Sequence, residues 1–62
     1  MKNAFVAMGE YYTNNHNLVR TVCKAYDYLT NEPMIIYVNI EPGGYVSEAF
    51  SMPENEFINT FM

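Results

Sequence analysis

A chain of 62 residues buries only about 60% of its unfolded surface, so residues 1–62 make one small domain of marginal stability. A single cysteine excludes an intrachain disulfide, and one cysteine with one histidine excludes a Cys/His zinc site. Seven acids against three bases, a net charge of −4, exclude a general binder of duplex nucleic acid, which needs clustered Lys and Arg on phosphates.

With 50% hydrophobic residues, six tyrosines, four phenylalanines and no covalent or metallic staple, the chain is expected to complete its core as a homo-oligomer. Its acidity suits a basic partner surface. The apolar run at residues 4–8 is too short for the core of a signal peptide or for a membrane span. A cytoplasmic location is therefore expected, with no membrane contact and Cys23 reduced.

Residues 4–8 read as a first strand or as an arm that docks on a neighbour. Residues 9–13 are aromatic and β-favouring, and they stop at Asn14-Asn15-His16-Asn17, a polar turn that a hairpin could cross. Residues 18–29 read two ways. Leu18, Val19, Val22, Cys23, Tyr26 and Leu29 fall at helical spacing, with Asn17 as a cap and Asn31-Glu32-Pro33 as a stop. Against a helix, the segment is rich in poor helix formers, and no acid sits in its first turn. As a strand it sets a small uncharged face of Val19, Thr21, Cys23 and Ala25 against Arg20 and Lys24, with Val22 spoiling the alternation. Pattern alone leaves the two open.

Residues 34–40, Met-Ile-Ile-Tyr-Val-Asn-Ile, are the central strand, because β-branched and aromatic side chains lose least on a pleated surface. Pro33 opens it, and Glu41-Pro42-Gly43-Gly44 turns the chain so that residues 45–52 return as an antiparallel partner, Ile35 to Met52 forming a hairpin. Pro53 followed by Glu54 and Glu56 begins one helical or 3₁₀ turn. Residues 58–62 then add a short closing strand.

Gly9 and Tyr11, Asn17, Val22 with Ala25, Thr30 and Glu32, Met34-Ile35-Ile36-Tyr37, and Pro53 with Phe57 together resemble the pattern of a family of very short, functionally uncharacterised bacterial and phage proteins. The resemblance covers about three quarters of the chain. It implies a small, strongly bent antiparallel sheet of the SH3-like barrel kind and tips residues 18–29 toward strand. Where the family tends to show a tryptophan and an arginine before its proline, this chain has Phe50, Ser51 and Met52, so a charge-reading site that uses that arginine is not carried over to it. The fold expected is all-β and mainly antiparallel, with about five strands in a small SH3-like sheet or barrel and one short helical turn near Pro53. The alternative is an α+β fold with a helix at 18–29.

Chemistry-bearing residues are few. His16 between asparagines reads as a solvated loop residue, and Cys23 on the small face reads as buried and inert. Glu41, Glu48, Glu54 and Glu56 carry no spacing that makes them converge, and no nucleotide or metalloprotease motif is present. No catalytic residue, metal or cofactor is expected. The tyrosines carry more, since an apolar ring with a polar tip suits an interface. Tyr11 or Tyr12, Tyr37 and Tyr45 on adjacent strands would make an aromatic platform with Arg20 or Lys24 beside it for a phosphate or carboxylate. The simpler use of these rings is to roof the core or seal a dimer. The sequence therefore points to a non-enzymatic binding module: a self-associating phage-type inhibitor that sequesters a small molecule or nucleotide, or an acidic inhibitor or adaptor occupying a basic site on a host protein such as a nuclease.

Overall fold

The structure, a computed structural model, describes residues 5–62. Four strands follow one another, β1 (Tyr11–Thr13), β2 (Leu18–Tyr26), β3 (Pro33–Glu41) and β4 (Tyr45–Pro53), and one helix, α1 (Glu54–Phe61), closes the chain. The strands pair antiparallel in chain order β1-β2-β3-β4. The fold is thus mainly antiparallel sheet, as expected. The sheet is not closed into a barrel, and it has four strands with a C-terminal helix in place of the fifth. Residues 18–26 are strand, which sets aside the α+β alternative of a helix at 18–29.

Each turn has a local cause. Asn14 carries the first: its Oδ1 accepts from the N–H of His16 and of Asn17, both at 2.9 Å, which ends β1 and returns the chain as β2. Gly43 and Gly44 carry the third with φ of 90° and 87°, a region open to glycine, and the Gly44 N–H donates to the Glu41 carbonyl at 3.0 Å. The expected β3–β4 hairpin is present, with Ile35 opposite Met52 and a register shift between Val38 and Ile40.

The expected single turn after Pro53 continues for eight residues to Phe61, replacing the expected closing strand over 58–62. Glu54 and Glu56 complement the positive end of the helix, and Phe57, Ile58 and Phe61 share the face that meets the sheet. Burial of Phe57, fully out of solvent, is what carries the helix past its first turn.

The core is Val6, Val19, Ile35 and Phe57, with Tyr12, Tyr37, Met52 and Phe61 packed around it. Phe57 lies 5.4 Å from the Tyr12 ring, 6.0 Å from Tyr37 and 4.7 Å from Phe61, centroid to centroid. Residues 5–8 form no strand and dock on their own chain, burying Val6; the start of the segment expected there, Ala4, lies outside the described residues. Thr21 holds that segment down. Its hydroxyl donates to the Ala7 carbonyl at 2.6 Å, its N–H donates to the Glu10 carbonyl, and its own carbonyl accepts from the Gly9 N–H.

A β-bulge decides which residues face the core. Thr21 pairs with Tyr37 and Cys23 with Ile36, so Val22 is an extra residue that reverses the in-and-out alternation of β2. Cross-strand partners share a face. Val19 and Thr21 go inward; beyond the bulge Lys24, opposite Ile35, goes inward, and Cys23 and Ala25 go out. The expected small face of Val19, Thr21, Cys23 and Ala25 is therefore split. Cys23 is exposed, not a buried core residue, because the bulge places it on the side that no helix covers.

Candidate functional site

The helix and residues 5–8 cover one face of the sheet and leave the other open. On the covered face the even-odd order of β3 puts Ile35 and Tyr37; on the open face it puts Met34, Ile36, Val38 and Ile40. Flanking that strip on the open face are Cys23 and Arg20 from β2, Val46, Ala49 and Ser51 from β4, and Tyr11 from β1. Val38, on the face away from α1, is 8% exposed, with Arg20 and Ala49 its direct neighbours on either side. Among the described residues, Arg20 is the charge that pairs into this face.

The six residues expected to form one platform are distributed over both faces. Tyr12 and Tyr37 belong to the core side. The Tyr12 hydroxyl accepts from the Ala7 N–H at 2.9 Å, and Tyr37 stacks on Phe50 at 6.0 Å while touching Phe57 and Phe61. Lys24 is on that side too, with Nζ 2.8 Å from Glu54 Oε2 and 5.7 Å from the centre of the Phe5 ring. Tyr45 is exposed at the far end of the β3–β4 hairpin, opposite Glu41. Tyr11 and Arg20 are brought together: they stand directly opposite each other across β1 and β2, on the open face. A phenol ring and a guanidinium carried on one face by paired residues, next to an apolar strip, can hold a flat or apolar body whose charge is negative.

Two further features lie off this face. A small cleft of about 280 Å³ is lined by Glu32, Pro33, Glu54, Asn55 and Ile58, and holds none of the six. The β2–β3 turn presents Tyr28 and Leu29, 97% and 86% exposed, on a firmly tied loop. The Asp27 carboxylate accepts from the N–H groups of Leu29 and Thr30 at 2.8 and 3.0 Å, and the Asn31 N–H donates to the Asp27 carbonyl. These bonds, the one from Thr30 first, hold the Asp27 carboxyl below its ordinary pKa.

Among the described residues no three His, Cys, Asp or Glu side chains gather to hold a metal ion, and no helix is long and apolar enough to cross a membrane. His16 is exposed in the β1–β2 turn. The open face, with the apolar strip of β3 at its centre, was not among the expected site features. Its signal was present in β3, whose near-continuous apolar run is the mark of a strand covered on both sides. No family model matches the chain, and no curated protein or solved structure matches it significantly.

Proposed function

We propose that the chain is a non-enzymatic, self-associating β binding module that sequesters a small anionic, ring-bearing molecule such as a nucleotide, in the manner of a phage-type inhibitor. The observation that supports this reading is the pairing of Tyr11 with Arg20 at the margin of an uncovered apolar sheet face. Arg20 meets the phosphate with charge-assisted hydrogen bonds, Tyr11 lies along the base, and the apolar strip excludes water from both. The resemblance to short phage and bacterial proteins is part of the same proposal.

The test is thermal shift of the full chain against a panel of nucleotides. A ligand at 100 times its dissociation constant stabilises the folded state by about 2.7 kcal/mol. Arg20→Ala, which removes a hydrogen bond to a charged group worth about 1.5–3 kcal/mol, should weaken binding by roughly tenfold or more. A flat response to every nucleotide would end the sequestration reading.

A second reading is favoured by the β2–β3 turn. Tyr28 and Leu29 protrude between Asp27 and Glu32 on a loop already ordered by its own hydrogen bonds, a shape that fits an apolar pocket with a basic rim on a host protein. Binding of that kind weakens as salt is added, and an affinity indifferent to salt would remove it.

A further inference from the structure

The central strand carries more apolar surface than one helix can cover. Strands with one wet face alternate apolar and polar residues, whereas near-continuous apolar runs belong to strands covered twice. β3 is of the second kind: Ile35 and Tyr37 are roofed by α1, while Ile36, Val38 and Ile40 stand on the face that α1 does not cover, Val38 already down to 8% exposure among its strand neighbours. We propose that a second copy of this chain covers that face, laying its own open face on this one across a two-fold axis. The proposal names the surface for the self-association invoked above and rests on that part of it.

Three features select a second copy as the occupant. The first is area. Three strands of nine residues, at about 4.8 Å between strands and 3.3 Å per residue, give a flat projection of roughly 14 by 30 Å per copy. Two such faces give roughly 840 Å² of flat projection, close to the ~1,000 Å² that a specific contact needs and within the range of weak ones. The second is charge. The chain carries seven acids, yet none is paired into the strip around Val38, so two copies of an acidic protein meet there away from their carboxylates. Arg20 stands one strand to the side of β3, directly opposite Val38, where its apolar stem can lie along the strip. The third is shape. Sheets pack face to face about 10 Å apart when their inner residues are mid-sized and apolar, as Ile36, Val38, Ile40 and Ala49 are.

Cys23 reports on the contact. It is exposed in the single copy and stands opposite Ile36 on the proposed interface, so self-association should shield it. The experiment measures the solution mass of the full chain and the rate at which a maleimide labels Cys23, each across protein concentration. The expected mass rises from 7.2 kDa to twice that value. At a concentration about ten times the dimer dissociation constant the free fraction is about one fifth, so labelling should be about fivefold slower than at high dilution. Ala49→Lys places a charge beside Val38 on an already exposed position and should keep the chain monomeric with Cys23 fully reactive at every concentration. Ser51→Lys, opposite Ile36, repeats the test should the first variant fail to fold. A dimer in which Cys23 labels at the dilute rate overturns the assigned face and leaves self-association standing. A mass of 7.2 kDa throughout overturns both, while a monomer still stabilised by nucleotide leaves only the ligand reading.

Discussion

Thr21 shows how much of this fold hangs on single polar atoms. Its side chain is completely buried, and its hydroxyl donates to the Ala7 carbonyl while accepting from the Glu10 N–H at 3.3 Å. Valine fills the same volume without the hydroxyl. Thr21→Val would therefore leave the part-buried Ala7 carbonyl without this donor, a loss of about 1–3 kcal/mol. Urea denaturation should show a lower midpoint with an unchanged slope, and a shift below about 0.5 kcal/mol would mean that water reaches the Ala7 carbonyl. That a threonine in β2 should face inward was legible from its neighbours, since Val19 and Thr21 share a parity. That Cys23 two residues later should not was illegible, because nothing in the side chains marks Val22 as the extra residue. The imperfect alternation at Val22 was the trace of the bulge, and it moved Lys24 to the core side and Cys23 to the outside.

The elements divide by how local their causes are. The β3–β4 hairpin was readable because proline, two glycines and a β-branched run act within a few residues of one another, while its register shift between Val38 and Ile40 was not. The strand identity of β2 was not, since helical and strand periods both fit it; pairing with β1 on one side and β3 on the other decides the matter, and that is a tertiary cause. The helix start at Pro53 was legible from proline and two acids. Its length was not, because Phe57, Ile58 and Phe61 favour a helix only once Tyr12, Tyr37 and Ile35 offer a surface to cover. Of the candidate site, Tyr11 with Arg20 was foreseeable and came together, whereas Tyr12 and Tyr37 were drawn into the core that this helix creates. The element-level prediction follows from the same packing. Phe57→Ala should cost about 3–5 kcal/mol. A 62-residue chain has only about 3–9 kcal/mol in total at typical stability per residue, so the variant should be largely unfolded at low concentration. Circular dichroism would register this as loss of the strand signal together with the helix. A variant that kept its sheet and lost only α1 would show that the meander is stable alone.

At the scale of the whole molecule, the arithmetic of a thin core joins stability to association. Five hydrophobic side chains are buried among the described residues, Val6, Val19, Ile35, Val38 and Phe57, and a sheet with a single helix over it can bury few more. If the open faces of two copies complete each other, the folded subunit is linked by mass action to its partner, and unfolding releases two chains from one particle. A tenfold rise in concentration is then worth about 1.4 kcal/mol per dimer, or about 0.7 kcal/mol per subunit. For a domain near this size, 1 kcal/mol moves the melting temperature by about 4–8 °C, so each decade of concentration should raise it by roughly 3–6 °C. Ala49→Lys should abolish that dependence, and its melting temperature should approach that of the wild-type chain extrapolated to high dilution. Arg20→Ala, beside Val38, should keep most of the slope and lose the response to nucleotide, since the apolar strip and not the guanidinium drives the contact. A wild-type melting temperature that stays level over two or more decades, with two-state unfolding, would show that one copy is a complete folding unit and that the second covering of β3 is solvent.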